Sequence, residues 1–188
     1  TKSTTVIFET VHACDVTLGT NTLLLHNDGN GSTDASTQKT WRLSGFDFVA
    51  GACGTPCIWM YPRIGQPAQY LTFRLDHNAF NGQANSTDFM YLGEGTRPMY
   101  IRGSIDNNTW TNSTQTRMLV LYGTGDPTSF ASTLLGSSNC LFIEDNTAVF
   151  SAPDNNGAGF VDAESASCYV ARFNSFTNAR VLQHGVTH

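Results

Sequence analysis

Lysine is nearly missing from this chain: among 188 residues it stands only at Lys2 and Lys39, and arginine supplies the other eight basic side chains. Charged residues of both signs make up 13% of the sequence, about half the usual share, and the formal net charge is −5. A chain this poor in basic groups has no face with which to neutralise phosphates, so duplex nucleic acid is not expected as a partner. Anionic membrane surfaces are excluded on the same ground. No run approaches the ~20 apolar residues that cross a bilayer, so no membrane insertion is expected. A signal peptide is also lacking. The chain opens on Thr1-Lys2-Ser3-Thr4 without an initiator Met and reads as a segment of a longer precursor.

Motifs for chemistry are missing too. No Gly-x-Ser-x-Gly elbow and no His-Glu-x-x-His pair occurs. Gly123-Thr124-Gly125-Asp126 begins like a phosphate loop but lacks the later Gly and Lys, and a turn explains it better. The loops that start at Asp28 and Asp154 fail the EF-hand pattern: Thr33 and Lys39 in the first, Ala158 and Ser165 in the second, stand where ligands or Gly are required. The glutamates Glu9, Glu94, Glu144 and Glu164 form no evident pair for glycoside hydrolysis. These failures lead to the expectation of a non-enzyme with no cofactor and no metal. A triad assembled in space from Ser and the five His stays open as an alternative.

Five cysteines are present, so at least one is unpaired within the chain. In Cys53-Gly54-Thr55-Pro56-Cys57 the intervening turn can bring two sulfurs together, which makes Cys53 and Cys57 a candidate disulfide. Cys140 and Cys168 sit in alternating segments and read as small apolar core residues.

What the chain does have is Thr, Ser, Asn and Gly, the mixture of strands joined by many turns. Period-2 alternation is clearest in Tyr70 to Asp76, where Leu71, Phe73 and Leu75 share one side. It recurs in Val6 to Val11, Thr22 to Leu25, Trp41 to Val49, Ile58 to Tyr61, Asp88 to Leu92, Met99 to Ile105, Arg117 to Tyr122, Cys140 to Glu144, Ala148 to Ser151, Cys168 to Phe173 and Arg180 to Val186. Turn signals such as Asn81-Gly82 and Asp106-Asn107-Asn108 separate them. Helical patterning is confined to Asp126 to Leu135, with Pro127 at a first-turn position, and to Asp162 to Ser167. No repeat of fixed period stands out, which disfavours a solenoid or propeller. The expected fold is a single all-β domain over residues 1–188: an antiparallel β-barrel or sandwich of about a dozen strands, with at most one or two short helices.

Trp110 lies in Asn107-Asn108-Thr109-Trp110-Thr111-Asn112, a stretch with no other apolar residue. Such a Trp is either a ligand contact or a plug packed onto the sheet below. Trp110, Asn107, Asn108 and Asn112 are therefore the candidate binding residues. Trp41 and Trp59, within apolar strands, are expected in the core. Sequons at Asn30, Asn85, Asn107 and Asn112 are about as many as this composition yields by chance, roughly three.

A precursor fragment that is all-β, acidic, Lys-poor and rich in Thr, Asn, Ser and Gly, with long polar loops, resembles the projecting domains of non-enveloped virus capsids. In length and character it is most similar to the astrovirus capsid spike, with the avian ones included. That resemblance implies a homodimeric spike on the virion surface that attaches to a host-cell receptor, glycan or protein, and carries the epitopes of neutralising antibodies. It carries over no site residues. Two other readings compete: a secreted, lectin-like carbohydrate-binding module with an exposed aromatic, and a β-rich hydrolase with the spatial triad.

Overall fold

The computed structural model describes residues 14–18, 23–27, 41–50, 53, 56–62, 69–82, 88–93, 99–112, 117–124, 136–137, 140–151 and 159–183. Over these residues the chain is all strand, with no helix. The strands are β1 (Cys14–Leu18), β2 (Leu23–Asn27), β3 (Trp41–Ser44), β4 (Phe46–Ala50), β5 (Ile58–Pro62), β6 (Gln69–Asp76), β7 (Ala79–Gly82), β8 (Asp88–Leu92) and β9 (Met99–Asp106). They continue with β10 (Thr109–Asn112), β11 (Arg117–Tyr122), β12 (Leu141–Glu144), β13 (Thr147–Phe150), β14 (Val161–Glu164), β15 (Tyr169–Arg172), β16 (Ser175–Thr177) and β17 (Val181–Gln183).

Every strand pairs parallel with the strand three places on. This gives three sheets: β1-β4-β7-β10-β13-β16 (sheet A), β2-β5-β8-β11-β14-β17 (sheet B) and β3-β6-β9-β12-β15 (sheet C). A chain that visits A, B and C in turn and stacks each visit on the last is a three-sided β-solenoid. This corrects the antiparallel barrel or sandwich expected above. Alternation reports only that a strand has one buried face, and parallel and antiparallel neighbours leave the same signature along a single strand.

The coils are held in register at one corner. Where sheet C passes to sheet A, the same three-residue turn recurs as Asp76-His77-Asn78, Asp106-Asn107-Asn108, Glu144-Asp145-Asn146 and Arg172-Phe173-Asn174. The middle residue is left-handed each time, with φ of 55°, 56°, 53° and 59°. The third residue is always Asn, and these form a ladder. The backbone N–H groups of Phe46, Asn78, Asn108 and Asn146 each donate to the side-chain Oδ1 of the next coil's Asn, at 3.0, 2.9, 3.0 and 3.0 Å. Each Asn Nδ2 donates to backbone carbonyls, as Asn108 does to Leu75 (2.9 Å) and Asp106 (3.0 Å). Along this ladder the sequence separations are 32, 30, 38 and 28 residues. The repeat exists but has no fixed period, which is why the expectation against a solenoid fails.

Inside the coils, one row of sheet A aligns Phe48, Phe80, Trp110, Ala148 and Phe176. Phe48 stacks on Phe80 at 5.2 Å and Phe80 on Trp110 at 4.0 Å. The small Ala148 breaks the row, and Phe160 fills the space against both Trp110 and Phe176. Leu71, Phe73 and Leu75 of sheet C, and Ile58, Met60, Met90, Leu92, Leu119 and Leu121 of sheet B, complete a continuous core.

Two covalent links reinforce it. Cys53 is bridged to Cys57, as the turn between them suggests, and Cys140 is bridged to Cys168. Cys140 and Cys168 are buried as expected of small core residues, but they are bridged to each other. Asp162 to Ser167 is not helical: it comprises the end of β14 and a turn whose Ser165 and Ala166 are left-handed. The segment Asp126 to Leu135 lies outside the described residues.

Candidate functional site

The polar stretch around Trp110 is a strand, not a loop. β10 pairs parallel with β7 and β13, so Thr109 and Thr111 face outward while Trp110 alternates inward and is fully buried. Trp110 is thus the plug of the two readings offered above, and it presents no ring face to a ligand. Asn108 is buried in the ladder. Asn107 is exposed at the left-handed corner position. Asn112 ends β10, and its side chain lies outside those described. The four candidate residues therefore do not form one surface. Neighbours in this sequence are not neighbours in space, because strand alternation sends them to opposite sides.

The outward side of sheet B carries a different constellation. Ile58 and Met60 point into the core, so Trp59 between them faces out and is only half-buried, contrary to its expected core position. Its indole Nε1 donates to the Gly93 carbonyl at 2.8 Å, which fixes the ring. Tyr91 lies in register with Trp59 on the next coil; one coil further the residue in register is the buried Val120, and Tyr122 stands two positions along the strand from it. The rings meet edge to face, at 6.4 Å for Trp59–Tyr91 and 5.4 Å for Tyr91–Tyr122.

Beside this aromatic row sits Arg117. Its guanidinium holds both oxygens of Asp88, and its Nη1 donates to Asp162 (2.6 Å) and Glu164 (2.9 Å). Three carboxylates thus surround one guanidinium, with Asp162 fully buried and Glu164 partly exposed. Tyr91 Oη donates to Asp88 at 2.6 Å. Burial, that hydrogen bond and the nearby carboxylate push the Tyr91 phenol far above its ordinary range. Burial and Glu164 likewise raise Tyr122. Burial opposes the Arg117 charge, but the bonds to Asp88 and Asp162 outweigh it and hold its affinity for the proton above normal. Both tyrosines are therefore neutral hydroxyls at physiological pH, next to fixed carboxylates.

The spatial triad has half a counterpart. His77 Nδ1 lies 2.9 Å from Asp76 Oδ2, the Asp–His half of such a triad. Ser44 Oγ, however, donates to the same Asp76 carboxylate at 3.3 Å rather than to His77. A base that does not hold the serine proton does not activate it. Asp76 is also the partner of Arg42.

The fold and site together define a three-sided parallel β-solenoid, disulfide-linked, with an aromatic row and a carboxylate–guanidinium cluster on one outer face. No family model matches the chain, and no curated protein or solved structure is significantly similar to it. No helix among the described residues is long and apolar enough to cross a membrane. Nor do the described residues hold a group of three or more His, Cys, Asp or Glu side chains placed to bind a metal ion.

Proposed function

We propose that this chain is an extracellular attachment module that binds a glycan along the outer face of sheet B. The observation that carries the reading is the half-buried row Trp59–Tyr91–Tyr122 set beside the Arg117 cluster. Aromatic faces take the apolar faces of sugar rings, and the partly exposed Glu164 carboxylate and the neutral phenols can pair with their hydroxyls. Trp59 and Tyr91 stand on successive coils about 4.8 Å apart, and Tyr122 lies diagonally on the coil after, so a short oligosaccharide can lie obliquely across the three rings. Carboxylates at this face, in a chain of formal net charge −5, favour a neutral sugar over a sulfated or sialylated one.

Two disulfides support an oxidising setting, secreted or on a virion or cell surface. Display as a capsid spike, with a host receptor and neutralising antibodies as partners, is the form of this proposal that the compositional resemblance favours. A secreted lectin-like module is its competitor. Neither form makes the chain an enzyme.

A glycan array probed with the 188-residue chain tests the proposal. Binding to neutral oligosaccharides, weakened in Tyr122→Ala, is expected. An array without signal, or binding that tolerates Tyr122→Ala and Trp59→Ala alike, sinks it.

A further inference from the structure

Of the three carboxylates around Arg117, Glu164 is the one that reaches solvent. The side chains of Asp88 and Asp162 are 3% and 0% exposed, whereas that of Glu164 is 25% exposed. Glu164 Oε1 accepts from Arg117, and among the described residues its Oε2 has no hydrogen-bond partner. Glu164 stands in register with Tyr122 on the neighbouring coil, so carboxylate and phenol ring rise side by side from strands about 4.8 Å apart.

The backbone holds this carboxylate in place. Ser165 and Ala166, directly after it, are both left-handed, each with φ of 53°. Two such non-glycine residues in succession are strained and persist only where packing enforces them. Gly123 supplies that packing. Its N–H donates to the Glu164 carbonyl at 3.1 Å, and a Cβ there would stand 2.3 Å from the Ala166 carbonyl carbon. Glu164 is thereby tied through its backbone to Gly123 and through its side chain to Arg117.

The hydrogen-bond donors of the face are largely committed within it. Four of the five Arg117 N–H groups point at carboxylates. Tyr91 donates to Asp88, and Trp59 Nε1 to the Gly93 carbonyl. The group turned to solvent beside Tyr122 is an acceptor.

We infer that Glu164 is the specificity-determining residue of the sheet B face and reads sugar hydroxyls as hydrogen-bond donors; the inference rests on the glycan reading above. A hexose ring over Tyr122 sets the hydroxyls of its edge against Glu164. A carboxylate accepts and does not donate, so each contacted hydroxyl must supply its proton. Vicinal hydroxyls, which can engage both oxygens, fit best. Deoxy and O-methyl sugars lack the donor there, and a uronic acid sets a like charge against Glu164. The class selected is a neutral hexose oligosaccharide with free vicinal hydroxyls.

Calorimetric titration tests this with the neutral oligosaccharide of strongest array signal, its monodeoxy analogues and its monodeoxyfluoro analogues. Fluorine fills the place of a hydroxyl but cannot donate. At the contacted positions both kinds of analogue are expected to bind wild type about tenfold more weakly than the parent sugar. Glu164→Gln keeps the side-chain length and replaces one acceptor oxygen by a donor. It is expected to bind the parent about tenfold more weakly and to show little further loss with the same analogues, a coupling that a purely structural role does not produce. The analogue series in wild type decides the matter even if the variant fails to fold. Deoxyfluoro analogues that all bind like the parent, or a folded Glu164→Gln that binds the parent as tightly as wild type, overturn the inference and leave the glycan reading standing. An array without any signal removes that reading and this inference together.

Discussion

Arg42 and Asp76 stand 34 positions apart in the chain and one coil apart in the solenoid, joined by a two-pronged contact of 2.7 and 2.5 Å. Arg74 and Asp106 repeat the contact one coil on, at 3.2 and 2.8 Å. Each pair ties a strand of sheet C to the end of the next, so a register slip breaks the charge pairing as well as the packing.

The first expectation concerns pH. Burial alone raises the Asp76 pKa, but hydrogen bonds from Arg42 and His77 and the two arginine charges overcome it, and the carboxyl ends below its ordinary value. A depressed carboxylate contributes stability above its unfolded pKa, about 3.9, and loses that contribution as pH falls through the folded value. Asp76→Asn is therefore expected to be less stable than wild type at neutral pH. The difference should shrink below about pH 4 in urea titrations run across pH. A constant difference at all pH values contradicts the assignment.

The ladder makes Asn108 a demanding position. Its side chain accepts from Asn78 and donates to Leu75, Asp106 and Asn146. Asn108→Ala strands several buried groups and is expected to cost about 2–4 kcal/mol, read as a fall in the denaturant midpoint. Asn107→Ala, at the exposed left-handed neighbour, breaks none of these buried bonds and should cost less, about 1 kcal/mol for the backbone conformation and its bond to Asp106.

Gly103 sits opposite Phe73 in sheet C with φ of +117°, and a Cβ there runs into the Phe73 carbonyl. Gly103→Ala should destabilise by more than the ~1–2 kcal/mol of the backbone conformation alone, measured as a lower Tm.

The two disulfides differ in the loop they close, 28 residues for Cys140–Cys168 and 4 for Cys53–Cys57. In the chain-entropy account, replacing both cysteines by Ser costs about 3.6 kcal/mol for the longer loop and about 2 for the shorter. Equal losses in the two double variants contradict that account here.

How far the sequence reaches is visible at particular residues. Strands Asp88–Leu92 and Arg117–Tyr122 coincide with their expected bounds, because their buried faces dominate the local pattern. β7, β10 and β16 carry a weak pattern because each follows a turn at once, and its outward positions are Thr, Asn, Ser or Ala. The recurring Asp/Glu-x-Asn or Arg-x-Asn corner is present in the sequence, but variable connections hide its period: β11 ends at Tyr122, and β12 starts only at Leu141. Cys140 and Cys168 could not be paired by spacing, since only stacked coils bring them together. The sheet B site joins Trp59, Tyr91, Arg117 and Glu164, residues from four coils, and no local pattern links them.

The most direct test is calorimetric titration of the best neutral oligosaccharide from the array into wild type, Tyr122→Ala and Trp110→Phe. Loss of one aromatic contact at the sheet B face should weaken binding about three- to tenfold in Tyr122→Ala. Trp110→Phe, altered only inside the core, should bind as wild type does. The account is contradicted if no oligosaccharide binds, or if Trp110→Phe loses binding while Tyr122→Ala keeps it.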